Sequence, residues 1–159
     1  MRTTKYEWFL DLAERCAKQG TCLRRNFGAV IVDENDTVIS TGYTGAPAGM
    51  VDCLELQCCW REDNNIPSGT CYEKCKSVHA EQNALIQAGK NARGSKLYLT
   101  GIDAKTGNLV DILPCFLCAK MIVNAGISSV IIKMSGGISE CDPHEVYKLR
   151  FEEAFGKME

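Results

Sequence analysis

Two short segments set the terms for the whole chain: His79-Ala80-Glu81 and Pro114-Cys115-Phe116-Leu117-Cys118. Together they read H-x-E and P-C-x-x-C. One histidine and two cysteines are donors of the kind zinc takes. Three protein donors leave the fourth tetrahedral position for water, as in a catalytic site rather than a structural one. Glu81 lies too near His79 in sequence to close a fourth bond easily, but it is well placed to carry a proton. The competing reading makes His79 a surface histidine and the two cysteines half of a structural zinc knuckle or a redox pair. That reading leaves Glu81 and Pro114 without a role.

Each half precedes a helix-like run, so the fold must bring two helix starts to one point. Cys115 and Cys118 are three residues apart and share a helix face. Helix N-termini carry positive potential and free N–H groups, which favour the thiolate that binds metal. His79 is expected in the first turn of the other helix.

The hydrophobic pattern supplies the frame. Tyr6, Phe9, Leu10, Ala13 and Ala17 recur at helical spacing over residues 4–19, with Gly20 as the stop. Phe27 to Val32 is a nearly continuous apolar run, which reads as a buried central strand. Asp33 to Asp36 turns, and Thr37 to Tyr43 returns as the second strand of a hairpin. Ser77 to Ala88 is predicted helical with Ser77 as N-cap and Gly89 as its end. Lys96 to Thr100 is a strand, and a polar excursion follows at 103–108. Cys115 to Ala125 is a helix, with Pro114 just before it or at its first position and Gly126 as its stop. Ser129 to Met134 is a strand, and Ile138 to Cys141 reads as a short edge strand. Asp142 as N-cap and Pro143 at the first position open a last helix through about Phe155. The alternation predicts an α/β/α sandwich, with helices on a mixed four- or five-stranded sheet, in one domain covering 1–159.

Composition excludes some functions. The formal net charge is −2, so an extended nucleic-acid surface is disfavoured. Neither a signal core nor an apolar run near 18 residues is apparent, so no membrane span is expected and the cytoplasm is the expected compartment. Ten cysteines in 159 residues, without a signal peptide, point to metal ligation rather than a disulfide scaffold. Five of them, Cys53, Cys58, Cys59, Cys71 and Cys75, crowd an irregular polar insert at 52–76. A loop this long is unusual unless it is functional or stapled. Cys16, Cys22 and Cys141 read most simply as core residues.

Several stretches resemble the deoxycytidylate (dCMP) deaminase family of the cytidine deaminase superfamily. They are Thr21 to Val32 (TCLRRNFGAVIV), Gly42 to Gly49 (GYTGAPAG), Ile66 to Gly69 (IPSG), His79 to Ala84 (HAEQNA) and Pro114 to Ile127 (PCFLCAKMIVNAGI). The zinc motif is common to the superfamily, whereas the first two stretches are narrower. The resemblance implies His79, Cys115 and Cys118 as zinc ligands and Glu81 as the proton shuttle. It implies a pocket built from the Gly42–Gly49 loop, including Thr44 and Gly45, with the Ala80 backbone N–H meeting the base carbonyl. Arg24 and Arg25 are candidates for the 5′-phosphate, and their alternative is solvated surface charge. Asn26 serves the pocket or shapes a turn. The resemblance also implies a second, structural zinc on Cys53, Cys59 and Cys75, with Cys71 as fourth ligand and Cys58 as an alternative member. The alternative is a set of reduced thiols.

Three departures from the family stand out. Thr44 occupies a position where the family usually has an Asn that approaches the sugar. Gly101–Leu113 is longer than usual, and the last strand is expected to be shortened or moved. The implied activity is hydrolysis of dCMP to dUMP and ammonia in a small-molecule enzyme that self-associates. The alternatives are another base, nucleoside or nucleotide as substrate, or a non-catalytic zinc-binding module, which would have no need of Glu81.

Overall fold

The computed structural model describes residues 1–157. Helix α1 (Lys5–Ala17) leads into strands β1 (Arg25–Val32) and β2 (Val38–Tyr43). Two single-turn helices, α2 (Cys53–Leu56) and α3 (Trp60–Asp63), and a 3-10 turn at Tyr72–Lys74 occupy the insert. Then come α4 (Ala80–Ala88), β3 (Lys96–Asp103), α5 (Phe116–Ala125), β4 (Ser129–Met134), β5 (Gly137–Cys141) and α6 (Pro143–Phe155). The strands form one sheet of five in the order β2-β1-β3-β4-β5. Only β3 and β4 run parallel. A parallel pair needs a crossover, and α5 supplies it.

The sheet is covered on both faces. Ala29, Ile31, Leu97, Leu99, Val130 and Ile132 pack against α4 and α5 through Ala84, Leu85, Cys118 and Ile122. Val30, Val32, Tyr98 and Ile131 point the other way, onto Phe9, Leu10 and Ala13 of α1. Burial on both sides is why β1 is apolar without alternation. Helix α6 packs outside, against α5.

Two glycines let helices sit directly on strands. A Cβ on Gly28 would fall 1.9 Å from the Ala13 carbonyl oxygen of α1. One on Gly42 would fall 2.2 Å from the Ala80 carbonyl oxygen and 2.6 Å from the Ala84 nitrogen. Backbone contact at Gly42 therefore fixes how deeply the start of α4 is seated on β2.

Several boundaries differ from the sequence expectation. Strands β1 and β3 are longer, because Arg25 and Asn26 pair with Asp103 and Ile102. Helix α1 ends at Ala17, before Gly20. Ser77 is not a helix cap. Val78 and Gly45 exchange two backbone hydrogen bonds, of 2.7 and 3.2 Å, and this bridge keeps the chain extended until His79 becomes the N-cap of α4. Pro114 lies before the N-cap of α5, which is Cys115 itself. The insert is not wholly irregular, since α2 is capped by Asp52 through a 2.8 Å bond from the Glu55 amide.

Candidate active site

His79 and Cys115 end two extended segments and begin two helices, which is what brings them together. The His79 amide donates to Gln82 Oε1 at 2.8 Å, and Gln82 Nε2 reaches Met121 Sδ of α5 at 3.7 Å. One side chain thus fixes the entry of α4 and links it to α5. The Cys115 Sγ accepts the Cys118 amide at 3.4 Å, a sulfur version of an N-cap.

The His79 Nδ1 lies 3.5 Å from Cys115 Sγ and 3.4 Å from Cys118 Sγ. All three donor atoms lie within 4.8 Å of one another. Tetrahedral zinc with Zn–S of about 2.3 Å and Zn–N of about 2.0 Å places N and S about 3.5 Å apart. The donors therefore already stand at ligating separations.

The electrostatics fit a cation. The hydrogen bond from Cys118 draws the Cys115 pKa down to about 4, with burial opposing and His79 assisting. The same bond and burial push Cys118 well above the usual thiol value, so one proton is shared unequally by two sulfurs. Burial works against a protonated His79, but its bond to Cys115 and the charge of Glu81 outweigh this and raise its pKa. Glu81 is 4% exposed, and its carboxyl neighbours the Cys118 thiol. Burial raises its pKa, and His79 opposes the rise.

One cavity opens over these groups. Its walls include Arg24, Arg25, Thr44, His79, Glu81, Leu113 and Cys115. Of the residues expected to touch substrate, Arg24, Arg25 and Thr44 line it, while Asn26, Gly45 and Ala80 do not. Asn26 is buried and makes a two-bond staple with the Cys22 backbone, at 2.9 and 3.0 Å, so it shapes a turn. Gly45 spends its backbone groups on Val78 and so holds the wall. Ala80 is buried as the first residue of α4, where its amide has no acceptor within the helix. Thr44 Oγ1 accepts the Phe27 amide at 3.0 Å, which ties the loop to β1.

Sequence reasoning missed three residues. Arg61, in an ordinary-looking W-R-E-D run, is 4% exposed and lines the cavity. Its guanidinium donates to the Pro67 carbonyl at 2.8 Å and to the Thr70 carbonyl, and lies 4.5 Å from the centroid of the Tyr72 ring. Tyr72 in turn sets its ring edge-on to His79, with centroids 4.7 Å apart. Cys22, expected in the core, joins Cys53, Cys59 and Cys75 in the cavity wall, whereas Cys71 is exposed and outside it. Among the described residues, only the His79, Cys115 and Cys118 donors form a group this tight. No motif in the sequence marks Arg61 or Cys22; Arg61 is held by carbonyls six and nine residues further on, within the insert itself.

Residues 3–134 match the family described as the cytidine and deoxycytidylate deaminase zinc-binding region. The chain is 34% identical over 128 residues to the deoxycytidylate deaminase of Schizosaccharomyces pombe, covering 80% of this chain but only 36% of that protein. It is 34% identical over 130 residues to the deoxycytidylate deaminase of Mycobacterium phage D29, covering 79% of this chain and 91% of that one. Among solved structures, the dCMP deaminase of cyanophage S-TIM5, in complex with dCMP and dUMP, superimposes with a TM-score of 0.59 at 29% identity. That likeness covers 83% of this chain and 82% of the other.

Proposed function

The chain belongs to the cytidine and deoxycytidylate deaminase family, and on that premise we propose that it hydrolyses dCMP to dUMP with release of ammonia. The observation that carries the substrate is charge. Arg24, Arg25 and Arg61 line the cavity that holds His79 and Glu81, and among the described residues Glu81 is its one carboxylate. Guanidinium forks suit phosphate oxygens. Arg61 is held by carbonyls and adds fixed positive potential, while Arg24 and Arg25 are half-buried and supply forks. The cyanophage relative, whose structure holds dCMP and dUMP, supports the same substrate class.

His79 through Nδ1, Cys115 and Cys118 would hold the zinc, which supplies Lewis-acid activation of water near neutral pH when bound. Glu81 takes the proton from the attacking water onto its carboxylate. It passes that proton to the ring nitrogen beside the amino-bearing carbon, and then carries the proton left on the added oxygen to the departing amine. The C–N bond breaks, a C–O bond takes its place, and ammonia leaves. Burial suits Glu81 to this work, because a raised pKa keeps both protonation states within reach. The Ala80 amide, with no acceptor inside α4, would meet the base carbonyl, and the Thr44–Gly45 loop would shape the sugar side.

A second zinc is proposed on Cys53, Cys59 and Cys75, which share a wall with Cys22, and either Cys22 or the exposed Cys71 would be its fourth ligand. One deaminase domain is supported by the single sheet. Self-association is supported by exposed apolar side chains in the insert, among them Leu54, Leu56 and Trp60. A cytoplasmic location accords with the absence, among the described residues, of any helix long and apolar enough to cross a membrane.

The test is ammonia release from dCMP, CMP, deoxycytidine, dCTP and guanine, with zinc counted per chain. The expected result is a preference for dCMP that Arg24→Ala and Arg25→Ala weaken through KM. Activity confined to unphosphorylated nucleosides would sink the phosphate assignment. One zinc per chain would remove the second site.

A further inference from the structure

We infer that Arg150, in α6, is a positioning residue for Cys115, and that α6 fixes this ligand from both sides. The inference rests on the reading of His79, Cys115 and Cys118 as a zinc site. Arg150 lies beyond residues 3–134, the span of the family match. Its Nε donates to the Pro114 carbonyl at 2.9 Å, and its Nη2 to the Leu113 carbonyl at 2.9 Å. Its Nη1 donates separately to Glu153 of the same helix at 2.8 Å, apart from the two carbonyl bonds.

The consequence is geometric. A peptide unit is planar, so holding a carbonyl oxygen holds the nitrogen of the next residue. The Leu113 carbonyl belongs to the unit that enters Pro114, and the Pro114 carbonyl to the unit that enters Cys115. With the proline ring locking φ between them, little freedom remains upstream of the Cys115 Cα. Downstream, Phe116 packs against three α6 rings. Its centroid lies 5.7 Å from that of Tyr147, 6.3 Å from Phe151 and 5.8 Å from Phe155. Cys115 thus lies between a hydrogen-bonded carbonyl pair and a clamped aromatic ring, both anchored in one helix. Leu113 lines the cavity, so the same fork also fixes part of the substrate wall.

A purely structural role would have Arg150 dock α6 and do nothing more. Zinc retention separates the two roles. Holoenzyme is mixed with excess chromophoric chelator well below its melting temperature, and the rate of zinc loss is followed. Arg150→Gln should release zinc roughly 10- to 100-fold faster, the range for groups that orient metal ligands. Arg150→Lys, able to serve one carbonyl at a time, should fall between. Glu153→Gln keeps both carbonyl bonds and should match wild type. Val146→Ala, at a buried position of α6 one turn before Arg150, keeps both carbonyl bonds and controls for general loosening of the helix. Zinc loss from Arg150→Gln no faster than from Val146→Ala overturns the inference. If Arg150→Gln does not fold, wild-type retention in Arg150→Lys overturns it instead. A wild-type protein that carries no zinc would defeat the metal reading itself, which is a separate outcome.

Discussion

The Nδ1 of His79 and the Sγ of Cys115 stand 3.5 Å apart although 36 residues separate them in sequence. Each is the N-cap of a helix, and each helix is held from outside its own sequence. Helix α4 is placed by the Gly45–Val78 bridge and the backbone contact at Gly42, and α5 by the Arg150 fork and the ring cluster around Phe116. The pair is therefore a product of several elements.

Glu81→Gln removes the proton carrier and keeps the volume. The expected outcome is a folded protein with unchanged zinc content and deamination slower by about 10²- to 10⁴-fold, the usual scale for general acid–base groups. Ammonia release and zinc stoichiometry on the same preparation check it. Retained activity would show that another group moves the proton.

Zinc uptake should release protons. Cys118 sits well above the usual thiol value in the metal-free site, so it is protonated at neutral pH and must lose its proton to ligate. Cys115, with a pKa of about 4, is already a thiolate. Lowering the pH from 8 to 5 should therefore weaken zinc binding by roughly tenfold per pH unit for the Cys118 proton. The raised His79 adds to the loss wherever it is protonated. Below about pH 4, Cys115 joins them. Calorimetry of zinc binding in two buffers of different ionisation enthalpy counts the protons.

Gly42→Ala tests the seat of α4. The added Cβ would meet backbone atoms at 2.2 and 2.6 Å, and backbone cannot rotate aside as a side chain can. Overpacking of this kind costs about 1–3 kcal/mol. A lowered denaturant midpoint together with faster zinc loss is expected, because Ala80 adjoins His79. Unchanged values in both would mean that α4 shifts freely.

Arg61→Met keeps an unbranched stem and removes the guanidinium and its charge. It should leave the Pro67 and Thr70 carbonyls without their donor, at a cost of about 1–3 kcal/mol. The KM for the phosphorylated substrate should rise more than that for the nucleoside. Melting curves and paired KM values check the two effects, and equal KM changes would confine Arg61 to holding the insert.

Much of this was legible in the sequence because it depends on short-range pattern. The H-A-E and P-C-x-x-C segments, the continuous apolar run at Phe27–Val32 and the Asp142–Pro143 helix start each work within a few residues. They appear in the structure where the pattern places them. Expectations failed where a partner far along the chain decided the outcome. Ser77 looks like a cap, but Gly45 holds Val78 extended. Asn26, open in the sequence between pocket and turn, holds the turn through the Cys22 backbone four residues away. Cys71 belongs to the cysteine run, yet it faces outward while Cys22 faces in.

The sequence by itself determined the donor set, the proton carrier and the two helix starts that bear them, since local backbone preference and residue chemistry suffice for these. Only the tertiary structure decided that both starts meet at ligating distance, that Arg61 and Tyr72 back His79, and that α6 grips Cys115. The first and the last rest on contacts between residues 36 positions apart, and the second on the insert folding back against the start of α4. Such contacts are set by how the helices pack on the two faces of the sheet, and no local pattern records them.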